Sequence, residues 1–275
     1  MCRIGFFNFE KMSKREKAVF TANVLRNMDV NGGHSQGVLM LKKVKDGFKA
    51  IKIIKMVGSG KDNYFDWIET LKKFDFDATL VHNRFATHGS INVENAHPIQ
   101  YKNIVLVHNG VFYDYKRFLT KREKKMDITD TYAIAKLIAH ENFKALGGAG
   151  ALLWFNSNTK KVYGLKANGN PLEFFQIKYD GEKEVFGAIS DAKLIDYNLK
   201  EEFTEIAYIR GNVLKKKISY SNNLLSEKER ITETADFGVL YEFTAGEIRK
   251  VKSVELQEYD LIEKDYEKEY LRYYH

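Results

Sequence analysis

A single cysteine, Cys2, stands in a chain of 275 residues. One thiol cannot close an intramolecular disulfide, nor can it supply the paired thiolates of a structural zinc site. Proline is nearly as scarce, with only Pro98 and Pro171. No Gly/Ser/Pro-rich stretch divides the chain, so a length that would allow two domains is read as one. No apolar run reaches the roughly 18 to 20 residues of a membrane-spanning helix. The start, Met-Cys-Arg-Ile-Gly-Phe-Phe, turns charged by Lys11, whereas a secretory signal needs charge first and then a longer apolar run. A soluble, cytoplasmic protein with no membrane contact is expected. Charge of neither sign dominates, since 44 Lys and Arg face 37 Asp and Glu for a net +7. The basic clusters Lys11 to Lys17, Lys121 to Lys125 and Lys215 to Lys217 are short, and each is interleaved with Glu or flanked by strand-like runs. They read as solvated surface first, and as a nucleic-acid face second, because no aromatic-rich binding motif accompanies them.

What is present is an ordinary globular balance, with 44% hydrophobic and 29% charged residues. Ser13 with Glu16 forms the S-x-x-E capping box, and Val19, Ala22 and Met28 follow at helical spacing, so 14–28 is expected as a helix. Two strands, 37–44 and 49–57, join at Asp46-Gly47. A short helix is expected over 65–74, and apolar strands over 78–86 and 104–107. Thr129 or Asp130 can cap a helix that carries Ile134, Leu137 and Ile138 on one face. Strand-like runs follow at 149–156, 161–167, 172–179 and 185–189, then a short helix near 192–197, then strands near Ile206, 239–244 and 247–252. Strands that come in runs, rather than alternating with helices, indicate an α+β class with mostly antiparallel sheets.

Three segments carry residue types suited to chemistry. Met1 is removable before a small residue, which would leave Cys2 with a thiol and a free α-amine, a compact nucleophile and base. Arg84 closes a strand-like run ahead of Phe85-Ala86-Thr87-His88-Gly89, and a guanidinium there is a two-pronged donor for a carboxylate. Asn109-Gly110 reads as a hairpin turn, or else as a side-chain amide and a backbone N–H directed at a developing oxyanion. The histidines His82, His88, His97 and His108 are spaced by 6, 9 and 11 residues, which matches no compact metal-ligand pattern. No metal is expected.

Taken together, Met-Cys, Arg-Phe-Ala-Thr-His-Gly, Asn-Ala-His-Pro, Val-His-Asn-Gly and Thr-Asp-Thr occur in this order within about 130 residues. The series resembles the class II glutamine amidotransferase domain of the N-terminal nucleophile hydrolases, above all the glutaminase half of glucosamine-6-phosphate synthase. Weaker echoes extend the resemblance to about residue 250. It implies a four-layer αββα sandwich and a glutaminase that needs no cofactor. It also implies Cys2 as nucleophile, Asn109 and Gly110 as oxyanion hole, Arg84 on the substrate α-carboxylate and Asp130 on its α-ammonium. Phe85, Thr87, His88 and Gly89 would line the pocket.

The pattern also departs from the family. Arg3 replaces a usual glycine, Phe85 a common tryptophan and Tyr132 a common glutamate. Asn31-Gly32-Gly33-His34-Ser35-Gln36-Gly37 lacks the arginine and the acid found in the family's corresponding motif. Arg210 to Asp236 has no counterpart and reads as a Lys-rich insertion. The expected domain spans 1–252. Over 253–275, Tyr259, Ile262, Tyr266, Tyr270 and Tyr273 recur at helical spacing, as in an amphipathic tail helix that closes the domain or joins a second copy. No synthetase domain is visible, so a separate ammonia-accepting synthetase is expected. Two alternatives stay open: a scaffold impaired in turnover, and an amidohydrolase acting on another amide.

Overall fold

The segment Arg3–Glu10 shows how the layers arise. Successive side chains of a strand point to opposite faces. Ile4 and Phe6 therefore enter one core and Phe7 and Phe9 another, and this strand is buried on both sides. The computed structural model describes residues 2–29, 33–179, 182–195, 231–244 and 247–257.

The first sheet runs in the order β11 (Ile231–Thr234), β9 (Glu173–Tyr179), β10 (Lys183–Ile189), β1 (Arg3–Glu10), β4 (Ala78–Arg84), β2 (Ser35–Val44), β3 (Gly47–Val57). The second runs β13 (Ile248–Ser253), β12 (Val239–Phe243), β8 (Lys161–Lys166), β7 (Ala151–Asn156), β6 (Ile104–Asn109), β5 (Ile99–Tyr101). Pairing within both sheets is antiparallel.

Three apolar clusters define four layers. Phe6, Phe48, Leu80, Leu153 and Phe243 fill the space between the sheets, where the Phe6 ring lies 5.2 Å from that of Phe243 and 6.0 Å from that of Phe48. Helices α1 (Lys14–Asn27) and α2 (Tyr64–Leu71) cover the outer face of the first sheet through Phe20, Trp67 and Leu71. Helix α3 (Asp130–Ala139) covers the second through Ile134, Leu137 and Ile138, against Leu106 and Trp154. The architecture is the αββα sandwich expected from the strand runs and the resemblance.

Local chemistry explains most boundaries. The capping box forms as expected: Ser13 Oγ accepts from the Glu16 N–H at 3.3 Å, and the Glu16 carboxylate accepts from the Ser13 N–H at 2.9 Å. The β2–β3 turn differs by one residue from expectation. Val44 pairs with Gly47, so Lys45-Asp46 form the loop and Gly47 (φ +138°) opens the next strand. Asn109-Gly110 is not a hairpin turn, because β6 pairs with β5 and β7 and the chain leaves it into a 3-10 helix at Tyr113–Phe118. Thr129 occupies the N-cap of α3 without a side-chain capping bond. The segment without a family counterpart ends in β11, which pairs with β9 at the edge of the first sheet. Val254 and Leu256 pack on the third cluster. The strand expected near Ile206 and the tail helix from Tyr259 lie outside the described residues; of the short helix expected near 192–197, residues 193–195 are helical and 196–197 lie outside the described residues.

Candidate active site

Strand parity gathers the site. Cys2 directly precedes β1 and shares the parity of Ile4 and Phe6, which point between the sheets. Arg84 shares the parity of Leu80 on neighbouring β4, and Asn109 that of Val105 and Val107 on β6 of the opposite sheet. Because Arg3 pairs with Asn83, Cys2 lies beside the end of β4.

The Cys2 thiol sits in a backbone cradle. Its Sγ accepts from the Phe85 N–H and donates to the Phe85 carbonyl, both at 3.3 Å. Burial pushes the thiol pKa up, opposed by the Phe85 amide; the Asp130 charge raises it further and Arg84 lowers it. The resting group is therefore a thiol.

Arg84 is buried and holds the following loop, donating to the carbonyls of Ser90 (2.9 Å), Gly89 (3.1 Å) and His88. Its guanidinium thus ties the 88–90 loop to the end of β4. Thr87 and Gly89 are exposed and His88 is half-buried. The His88 Nε2 has no hydrogen-bond partner, and its ring lies 5.3 Å from that of Tyr115. Gly89 adopts φ +73°, a left-handed conformation that glycine takes without steric cost.

Asn109 ends β6 fully buried, and neither its side-chain oxygen nor its nitrogen has a hydrogen-bond partner. An orphaned buried amide is costly and uncommon. Gly110 follows in a space that admits no side chain: a Cβ would lie 2.7 Å from the Ala149 carbonyl and 2.9 Å from His108 Nε2. Asp130 opens α3, where its carboxylate accepts from the N–H groups of Phe112 (2.8 Å) and Thr131 (3.0 Å).

Behind these groups lies a buried network in which three of the four histidines meet. A carbonyl only accepts, so the His108 Nε2–H donates to Ala149, and the His82 Nε2–H donates to the His108 carbonyl at 2.9 Å. His108 Nδ1 then accepts from the Thr131 hydroxyl (3.0 Å), which itself accepts from the His97 Nε2–H (2.7 Å). The His82 and His97 rings stack at 4.0 Å. Burial pushes all three pKa values down, that of His82 to about 3 and that of His97 well below the usual imidazole value. These neutral rings are hydrogen-bonding struts. The His82–His108 bond joins β4 to β6 across the sandwich, which sets the distance between the Cys2–Arg84 side and the Asn109–Gly110 side. No metal-ligand grouping occurs among the described residues.

Sequence reasoning missed His34 and Thr131. His34 was visible only as a departure from the family pattern, and nothing local marks Thr131 as a bridge. No helix among the described residues is long and apolar enough to cross a membrane.

No family model matches the chain. Curated relatives do. The isomerizing glutamine–fructose-6-phosphate aminotransferase of Buchnera aphidicola (subsp. Baizongia pistaciae) is 33% identical over 138 residues, covering 48% of this chain and 22% of the relative. That of Listeria monocytogenes is 30% identical over 202 residues, covering 66% and 31%. The chain therefore spans about a fifth to a third of the length of these relatives. Among solved structures, the B. subtilis glutamine phosphoribosylpyrophosphate amidotransferase bound to ADP and GMP superimposes with a TM-score of 0.57 at 15% identity. It is matched over 92% of this chain and 49% of that one. A structure described as the allosteric regulatory enzyme of purine biosynthesis gives 0.58 at 16% identity over the same shares. At such identity the structural likeness speaks for the fold alone, and it is the expected one.

Proposed function

We propose that the chain is a class II glutamine amidotransferase domain that hydrolyses glutamine to glutamate and ammonia through Cys2. In this reading the Cys2 sulfur attacks the side-chain amide carbon, and the α-amine of Cys2, freed by removal of Met1, takes the thiol proton. The Asn109 side-chain amide and the Gly110 N–H hold the oxyanion of the tetrahedral intermediate. The amine returns its proton to the leaving nitrogen, the C–N bond breaks, and ammonia departs from a thioester on Cys2. Water then attacks the thioester, releasing glutamate and regenerating the thiol. Arg84 and Asp130 supply the cation and anion that the zwitterionic head of an amino acid calls for, with Phe85, Thr87, His88 and Gly89 around them.

One observation carries the reading: the buried Asn109 amide lacks a partner and shares the inward-facing end of the sandwich with the cradled Cys2 thiol. An oxyanion hole needs a donor held in place and left unused until charge develops. The curated relatives are, by name, aminotransferases that use glutamine. By analogy, the ammonia made here passes to an acceptor.

Intact mass spectrometry with a glutamine-shaped diazo-ketone tests the proposal. The expected result is loss of Met1 and one covalent adduct, both adduct and glutamate release disappearing in Cys2→Ala. A chain that neither forms the adduct nor releases glutamate would refute it and leave a scaffold. Turnover of another amide with none of glutamine would reassign the substrate.

A further inference from the structure

We propose that His34 is a positioning residue for the nucleophile, holding the turn of backbone that cradles the Cys2 sulfur. The inference rests on the reading of Cys2 as nucleophile. Three successive residues at the end of β4 are gripped by this one side chain and its backbone. The His34 N–H donates to the Arg84 carbonyl at 2.8 Å. The imidazole stacks on the Phe85 ring, with centroids 4.8 Å apart and planes inclined by 28°. His34 Nδ1 accepts from the Ala86 N–H at 2.9 Å. Between these anchors, the amide and carbonyl of Phe85 make the two hydrogen bonds to Sγ. Any shift of the 84–86 turn moves both partners of the sulfur together. Displacement of reacting groups by about 1 Å is enough to cost some hundredfold in rate.

His34 is itself held in place. Its carbonyl accepts from the Gly58 N–H at 3.0 Å. The buried Asp29 carboxylate accepts from the N–H groups of Gly33 and Gly60, tying the segment before His34 to the 58–60 turn. The acceptor role requires an Nδ1 without a proton. Burial and the Arg84 guanidinium favour that neutral form, while the Asp29 carboxylate opposes it. Protonation at Nδ1 would set two donors against each other at Ala86.

Two substitutions separate the acceptor from the ring. His34→Asn places an amide oxygen near the position of Nδ1 and removes the ring, whereas His34→Phe keeps the ring and removes the acceptor. The rate of Cys2 labelling by the diazo-ketone is expected to fall about tenfold in His34→Phe, the scale of one lost hydrogen bond, and to stay within about threefold in His34→Asn. Hydrogen exchange should show the Ala86 amide protected in the parent and in His34→Asn and opened in His34→Phe. In both proteins labelling should lose rate on the acid side as the Cys2 α-amine is protonated, and the fall should be steeper in the parent, where His34 also takes up a proton, than in His34→Asn. Equal Ala86 protection in the parent and His34→Phe, or His34→Asn as slow as His34→Phe, would overturn the proposal. If the parent is not labelled at all, the glutaminase reading fails instead. Ala86 exchange together with Cys2 alkylation by iodoacetamide then still decides whether His34 sets the cradle.

Discussion

Acidification to pH 5 should destabilise this fold well before its carboxylates titrate. An unfolded histidine binds its proton near pH 6.5, whereas buried His82 does so only at about pH 3 and His97 also far below its usual value. Between those limits the unfolded chain binds more protons than the folded one, so stability falls as pH falls. At pH 5 His82 alone contributes a loss of about RT ln(1 + 10^1.5), or roughly 2 kcal/mol. His97, His108 and His34 shift in the same direction and add to that loss. Even the His82 share is substantial against the roughly 5 to 15 kcal/mol that holds a domain together. The effect is separable from carboxylate titration. Burial raises the Glu123 pKa, but Lys136 and Thr120 outweigh it and hold the group down to about 2. Its contribution is present above its unfolded value of 4.5 and is lost only below that. Urea unfolding at pH 7.5, 6.0 and 5.0 would measure the slope. Tryptophan fluorescence suits it, since Trp67 and Trp154 are buried in different outer layers. Stability that is level or rising between pH 6.5 and 5 would refute the neutral-histidine network.

Two further outcomes are expected. Asn109→Ala should lower kcat for glutamine about 10²- to 10³-fold, the usual scale for one oxyanion donor. Its unfolding midpoint should not fall, because the amide removed has no partner to lose; a large loss of stability with little loss of rate would contradict its role. Phe6→Ala empties the centre of the inter-sheet core, where Phe6 is fully buried. It should cost about 3 to 5 kcal/mol by chemical denaturation, and a cost under 1 kcal/mol would mean the two sheets do not pack through it.

Much was legible from local pattern. Alternation in Arg3–Glu10 and apolar runs such as 78–84 specify strands, and Ser13 with Glu16 specifies the start of α1, because these signals act over a few residues. The ordered motifs pointed to Cys2, Arg84, Asn109, Gly110 and Asp130, since each lies at a strand end or helix start that the pattern already places. Three-residue β5 escaped notice, being too short for periodicity to register. So did β11, whose place depends on its partner β9 more than on its own residues.

The histidines mark the boundary between the two kinds of information. Spacings of 6, 9 and 11 residues say only that no local ligand motif exists. That His97 and His108 meet through Thr131, with His82 joined through the His108 carbonyl, follows from β4, the loop before β5, β6 and α3 converging at one end of the sandwich. Likewise, His34 reads in the sequence as a mere departure, and only the fold sets it against Phe85 and Ala86, 51 and 52 residues away. Side-chain parity and capping depend on neighbours along the chain, so the sequence alone determined them. Which buried polar groups satisfy one another depends on how the sheets stack, and only the tertiary structure decided that.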